Sequence, residues 1–126
     1  MLERVSYFER DVVRRMIKQL GEIAARIAGL AAQRKFEEAL SVVQQSEREL
    51  LGPLTATLDA VDARTVRLLL GNDEKLQVWV VLLSERAKLL DAQGQHAAAR
   101  SVAARAAELR ELLELQGSAN SPPRTG

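Results

Sequence analysis

Apolar residues recur every three or four positions along most of the chain, which is the spacing of one face of an α-helix. The first and longest such stretch covers residues 7–32, and a capping box of Ser6 and Glu9 predicts its start. Its apolar stripe covers about half of the helix circumference, which is wider than contact with one neighbouring helix requires. The pattern therefore predicts a long helix that packs against more than one other element.

Four further helices are predicted from the same spacing and from turn residues. Gly52 and Pro53 end the second helix, because proline cannot continue one. Gly71 and Asn72 separate a short middle helix from the fourth helix, and Gly94 allows a tight turn before the fifth. The predicted bounds after the first helix are 35–51, 62–70, 74–92 and 96–115.

The middle of the chain carries two capping signals and one apolar run. Asp62 is expected to cap the short middle helix, and Asn72 or Asp73 the fourth helix. Residues 78–83 are all apolar and include Trp79, which leaves no polar face on this part of the helix. The fourth helix is therefore expected to be central, with Trp79 in the core.

Composition limits how such a fold is held together. Hydrophobic residues make up 47% of the 126-residue chain and aromatic residues only 3%, so the core must be largely aliphatic. A chain of this length buries enough surface to fold as one domain without a metal or disulfide. The absence of cysteine excludes disulfides, thiolate chemistry and a cysteine-ligated zinc site. We expect a single all-α domain over residues 1–115, with a disordered tail over residues 116–126.

Charge and hydropathy narrow the classes of partner. The net charge is +1, and acidic and basic residues alternate, whereas nucleic-acid binders concentrate basic residues in a patch. The apolar run of residues 78–83 is far shorter than the roughly twenty residues that cross a bilayer. The N-terminal residues lack the pattern of a signal peptide. These features predict no nucleic-acid binding, no transmembrane segment and a cytoplasmic location.

Two segments sixty residues apart share an outline. In residues 30–40 a short turn is followed by Phe36 and then Ala39, and in residues 90–99 the turn at Gly94 is followed by His96 and Ala99. The outline resembles the helix–turn–helix junction of tetratricopeptide repeats, although Arg34 stands where that repeat prefers glycine. The resemblance implies a five-helix bundle of two TPR-like hairpins joined by the short middle helix.

The chain up to about residue 115 also resembles an uncharacterised bacterial family of small helical proteins, a domain of unknown function. The resemblance rests on residues 9–20, on a hairpin like residues 36–40, and on a turn like residues 93–95 before the last helix. It implies the helical fold and brings no assigned activity.

Few residues offer chemistry, and each has a structural explanation. His96 is the only histidine; it is interpreted as filling the aromatic position of the second turn, with Asp91 a poor partner for it. The remaining carboxylates lie at helix starts or among basic residues, where the helix dipole or solvent explains them. Glu111 and Glu114 are one turn apart but lack the further ligands of a metal site. The sequence therefore predicts a protein that is not an enzyme and that needs no cofactor or metal.

A basic stripe on the first helix is the candidate partner-binding site. Arg10, Arg14 and Lys18 are spaced four residues apart and so lie on one face. An acidic partner helix, an anionic membrane or a phosphate-bearing ligand could use this stripe, while an ordinary solvated face is the alternative.

A strip of small residues on the same helix is the candidate self-association site. Gly21, Ala25 and Gly29 follow one another at intervals of four. Each glycine inside a helix costs about 1 kcal/mol relative to alanine, so two on one face suggest a close helix contact. That contact would be with the chain's own second helix or with another subunit, and a solvated face remains the alternative.

The sequence therefore predicts a non-catalytic protein–protein interaction module, an adaptor or small chaperone-like protein. Helical hairpins need neighbours to cover their apolar faces, so a twofold homodimer through the first helix is expected. The protein partner is unknown. The alternative hypothesis is a peripheral binder of anionic membranes or phosphate ligands that uses the basic stripe.

Overall fold

The computed structural model describes the backbone of residues 2–120 and the side chains of residues 14–115. Within these residues the regular structure is entirely helical, which confirms the all-α class. The helices are α1 (Leu2–Ala32), α2 (Phe36–Leu51), α3 (Thr55–Ala60), α4 (Ala63–Leu70), α5 (Asp73–Ala92) and α6 (His96–Asn120).

The predicted count of five helices is wrong, because two short helices join the hairpins where the sequence predicts one. The helix α3 ends before Val61 and Asp62, whose extended backbones have ψ values of 164° and 168°. Only one large apolar residue, Leu58, lies inside α3, and it is fully buried. A six-residue helix with one such residue cannot show a helical period, which is why the pattern missed it.

The two terminal helices are longer than predicted. The backbone is helical from Leu2, so Ser6 lies inside α1 and the predicted start at a Ser6–Glu9 capping box is wrong. The last helix, α6, continues to Asn120, beyond the predicted end at residue 115. The rest of the predicted tail, residues 121–126, lies outside the described residues.

The helix α5 occupies the centre of the fold and contacts α1, α2, α4 and α6. The sequence prediction that Trp79 lies in the core is confirmed, since its side chain is fully buried. Val81 is the exception in the apolar run, because 36% of its surface is exposed. Five of the six residues of that run are buried: Val78, Trp79, Val80, Leu82 and Leu83. Such burial of aliphatic side chains stabilises a fold by about 25 cal/mol per Å².

The turns of the two hairpins have the same hydrogen-bond pattern. The Lys35 amide donates to the Leu30 carbonyl at 2.9 Å, and the Arg34 amide donates to the Ala31 carbonyl at 2.9 Å. In the second turn the Gln95 amide donates to Leu90 at 2.9 Å and the Gly94 amide to Asp91 at 3.0 Å. Both are Schellman motifs, which satisfy carbonyls left open at a helix end. The shared outline of the two segments therefore reflects a shared backbone geometry.

Capping side chains fix the starts of α4 and α5. Asp62 accepts from the Thr65 amide at 2.8 Å, and Asn72 accepts from the Lys75 amide at 2.8 Å, so both predicted caps are confirmed. Hydrogen bonds from the Thr65 side chain and amide hold the pKa of the Asp62 carboxyl below its ordinary value, and the charge of Arg105 acts in the same direction.

Candidate functional site

The side of α1 that faces away from the core carries both candidate sites. Its described residues are Arg14, Ile17, Lys18, Gly21, Ala25 and Gly29, which we call the α1 face. They follow one another at intervals of one, three or four residues and are all exposed. The opposite side of the helix packs against the core through residues that include Met16 and Ile27. The α1 face is thus a continuous exposed surface on a helix whose other side packs on the core.

The small residues of the α1 face are open to solvent. A Cβ atom built on Gly21 or Gly29 meets no heavy atom within 4 Å apart from the neighbouring backbone of α1 itself. The chain's own second helix therefore does not use these glycines for a close contact, and that alternative is excluded. Ile17, on the same face, is 63% exposed. Because the two glycines have no side chains, another helix can approach the backbone of this part of α1 closely.

The basic stripe continues the α1 face toward the N-terminus. Arg14 and Lys18 are both exposed, and within the described residues neither forms an ion pair. Arg10, the third residue of the stripe, has a helical backbone, but its side chain lies outside the described residues. The structure thus places two positive charges directly beside the small residues on one helix.

A buried polar cluster links the first hairpin to the second. The Trp79 indole N–H donates to Oε2 of Glu47 at 3.0 Å, and the Arg86 guanidinium donates to Oε1 of the same carboxylate. The side chain of Glu47 is only 4% exposed, while that of Arg86 is 20% exposed. Both carboxylate oxygens are therefore engaged, which is what a buried charge needs. The arrangement stabilises the contact between α2 and α5.

Sequence reasoning did not find this cluster. Glu47 sits in a polar stretch of α2, where nothing separates a buried carboxylate from a solvated one. The available signal was Trp79, because a buried indole N–H needs an acceptor. Only the fold shows that the acceptor lies 32 residues earlier in the chain.

Arg105 ties the short middle helices to the second hairpin. Its guanidinium donates to the carbonyls of Leu58, at 3.1 Å, and Val61, which lie at the end of α3. The guanidinium carbon also lies 5.8 Å from the centre of the Trp79 ring, within the range of a cation–π contact. One arginine of α6 thus holds the end of α3 in place.

His96 occupies the position after the second turn that Phe36 occupies after the first, but it does not pack on the core as Phe36 does. Its side chain is 63% exposed, and its Nδ1 atom lies 2.6 Å from Oδ1 of Asp91. The dismissal of Asp91 as a partner was therefore wrong, because the turn at Gly94 folds the chain back and brings the two residues together. Phe36, at the matching position of the first hairpin, is half-buried against the core.

The other carboxylates do not gather into a site. Within the described residues no group of three or more histidine, cysteine or carboxylate side chains could hold a metal ion. Glu37 and Glu38 are exposed in the first turn of α2, and Glu111 and Glu114 are exposed on α6. Of the carboxylates with described side chains, Glu47 is the buried one.

Two open grooves border α5. One, of about 460 Å³, lies between α2, α3 and α5, and both Glu47 and Arg86 reach its wall. The other, of about 650 Å³, lies between α5 and α6 and has Val81 and Leu113 among its lining residues. Each groove carries side chains of both charges, so neither favours a ligand of one sign.

Comparison with known protein families, with curated proteins and with solved structures gives no match. Among the described helices, none has both the length and the apolar character needed to cross a bilayer.

Proposed function

We propose that this protein is a non-catalytic protein–protein interaction module, an adaptor or small chaperone-like protein, whose α1 face binds a helix of a partner protein. The observation that carries the proposal is the α1 face itself, a fully exposed surface on a helix of 31 residues. Small residues allow another helix to come close, and Arg14 and Lys18 suit acidic side chains on that helix.

The helical hairpins support a binding role of this kind. We regard them as TPR-like, in keeping with the matching turns at Arg34 and Gly94, and the resemblance to an uncharacterised bacterial family remains part of the proposal. The non-catalytic part of the proposal is supported by the roles of the charged groups. Arg14 and Lys18 are solvated charges, and Glu47 and Arg86 form an ion pair. A cytoplasmic location and self-association belong to the same proposal. The strip of Gly21, Ala25 and Gly29 would accept a helix of the partner or of a second copy.

Charge reversal on the α1 face tests the basic half of the proposed site. The variant Arg10→Glu/Arg14→Glu/Lys18→Glu and the wild type are used to capture partners from a lysate of the source organism. We expect a discrete protein to bind the wild type and to be lost from the variant. The matched control is Arg26→Glu/Arg48→Glu/Arg100→Glu, which makes the same change in net charge at exposed positions elsewhere. Equal loss in both variants would contradict a site on the α1 face.

A leucine at Gly21 or Gly29 tests the other half of the proposed site. Because an added side chain meets no neighbour there, Gly21→Leu and Gly29→Leu should keep the fold and raise its stability by up to about 1 kcal/mol each. The same leucines would block a close helix and reduce partner binding at least tenfold, by the general arithmetic of about 1.4 kcal/mol per factor of ten. Unchanged binding would show that the glycines are only tolerated on a solvated surface.

A second candidate function is binding to anionic membranes or phosphate ligands. It is favoured by the charges of Arg14 and Lys18, which are exposed and form no ion pair with any residue whose side chain is described. Co-sedimentation with vesicles of phosphatidylserine and phosphatidylcholine distinguishes the two functions. Binding only to the phosphatidylserine vesicles, lost in moderate salt, would support the second function, because exposed charges are screened by salt.

A further inference from the structure

An exposed apolar surface lies where α4 packs beside α6. Leu68 is 81% exposed and Leu115 is 67% exposed, which are the two highest exposures among the large apolar side chains described. Leu112 is half-buried and lines two adjoining grooves, one shared with Leu68 and the other with Leu115. The three leucines, which we call the leucine surface, therefore form one continuous apolar patch.

The two sides of the leucine surface carry opposite charges. Arg64 and Arg67 project from α4 into the groove that contains Leu68 and Leu112. Glu108 and Glu111 of α6 line the groove that contains Leu112 and Leu115, and Arg64 lines the same groove from α4. The patch is therefore basic on its α4 side and acidic on its α6 side.

Some of these charges already have partners within the chain. Arg67 lies 3.4 Å from Asp73, and Glu108 lies 4.0 Å from Arg105. Asp62 also lines the groove that contains Leu112 and Leu115, but its carboxylate caps α4. Arg64 and Glu111 form no ion pair within the described residues, although the charge of Arg64 is felt by Asp62. Arg64 on α4 and Glu111 on α6 thus remain, and both line the groove that contains Leu112 and Leu115.

We propose that a second copy of this chain docks on the leucine surface, with Arg64 of each copy facing Glu111 of the other. A twofold axis running along the patch brings the basic side of one copy onto the acidic side of the other, which is the condition for a self-complementary interface. The leucines of both copies then leave water together, as expected for an exposed apolar patch at an interface. This inference rests on the self-association within the proposed function. It leaves the α1 face free for a different protein.

Charge swaps test the docking geometry. The molar mass of the full chain is measured by light scattering from low micromolar to several hundred micromolar concentration, and the wild type should change from monomer to dimer. Arg64→Glu alone and Glu111→Arg alone each set like charges against each other at two symmetric places. Each should raise the dimer dissociation constant about tenfold, because an exposed ion pair contributes up to about 1 kcal/mol and the interface contains two such pairs. The double variant should return to within about threefold of the wild type, since its charges match again.

Apolar variants test the patch itself. Leu68→Ser and Leu115→Ser should each raise the dimer dissociation constant at least about tenfold, because each leucine enters the interface twice. The control is Leu54→Ser, which changes a leucine that is 44% exposed and lies outside the patch. The fluorescence of Trp79, the only tryptophan, shows that each variant keeps its fold.

Three outcomes would overturn the inference. If the wild type stays monomeric at every concentration, both this inference and the proposed self-association are wrong. If the dimer of the double variant is weakened by as much as the two single variants combined, the Arg64–Glu111 pairing is wrong. A dimer that is lost in Gly21→Leu but kept in Leu68→Ser would place self-association on the α1 face. In that last case the proposed function would stand and this inference would fail.

Discussion

The two hairpins share a turn but differ in the side chain that the next helix places against the fold. In each turn one residue has a positive φ, 60° at Arg34 and 86° at Gly94, and the hydrogen bonds around it match. The first hairpin then places half-buried Phe36 against the core, while the second places exposed His96 beside Asp91. The two turns therefore share a backbone geometry, but the side chains that follow them pack differently. The comparison shows that a turn motif fixes how two helices are connected and leaves their burial to the rest of the fold.

The hairpins also differ in their place in the core. The second contributes α5, which is surrounded on several sides, whereas the first contributes α1, which keeps a fully exposed face. Glu47 of the first hairpin is buried only because it bonds to Trp79 and Arg86 of the second. We therefore expect the interface between the hairpins to be sensitive to substitution.

The largest expected effect comes from breaking that interface. Glu47→Ala leaves the Trp79 N–H and the Arg86 guanidinium without their shared acceptor, and should lower the free energy of unfolding by about 3 kcal/mol. Urea denaturation followed by far-ultraviolet circular dichroism measures this. Glu49→Ala, which removes an exposed hydrogen bond to Gln45, is the control and should change stability by less than about 0.5 kcal/mol. Similar losses in the two variants would contradict a structural role for the cluster.

The next largest loss of stability is expected at the first helical residue after the first turn, and a much smaller one at the matching residue after the second turn. Phe36→Ala removes a ring that packs on the core and should reduce stability by about 2 kcal/mol, less than for a fully buried phenylalanine. His96→Ala removes an exposed side chain and should change stability by no more than about 0.5 kcal/mol. Thermal unfolding of the two variants side by side provides the measurement. Equal losses would show that the second turn depends on its His96–Asp91 pair.

A smaller effect separates the turns themselves. Gly94→Ala introduces a Cβ at a φ of 86°, and should destabilise the protein by about 1 kcal/mol even though the space around it is open. Arg34→Gly relieves the same strain in the first turn and should raise stability by up to about 1 kcal/mol. Urea midpoints of both variants measure the difference. A stability loss in Arg34→Gly would mean that the arginine side chain stabilises the first turn.

The smallest effect concerns the linker between the hairpins and depends on pH. The pKa of Asp62 in the folded protein lies below its ordinary value of 3.8, so its charged form adds stability at higher pH. That contribution is lost as the pH falls from about 3.8 through the lowered folded-state pKa. The melting temperature of Asp62→Ala should therefore lie below that of the wild type at neutral pH and approach it in acid. Asp59→Ala, at an exposed position that caps no helix, is the control; a pH-independent gap for Asp62→Ala would contradict the capping mechanism.

The helices, their main breaks and both caps were predictable from local patterns. Gly71 and Gly94 adopt positive φ, and Asp62 and Asn72 cap α4 and α5, as their residue types indicate. The boundary errors at α1 and α6 and the missed α3 arose where few apolar residues define a period. Local signals work here because a cap or turn involves groups within about four residues of one another.

The candidate site was predicted only in part. The spacing placed Arg14 and Lys18 on one side of a helix, and it also placed Gly21 and Gly29 together. The spacing did not tell whether that side was covered by α2. Opposite sides of a helix both carry regular patterns, and only the packed structure distinguishes the buried side from the open one.

The sequence by itself determined the helical class, the turns at Gly71 and Gly94 and the caps at Asp62 and Asn72. Only the tertiary structure decided that Glu47 is buried beside Trp79 and that Arg105 holds carbonyl groups at the end of α3. It also decided that the α1 face and the leucine surface stay exposed. The physical reason is range: helical propensity and capping act between near neighbours, whereas burial depends on which helix faces meet after the chain has folded back on itself.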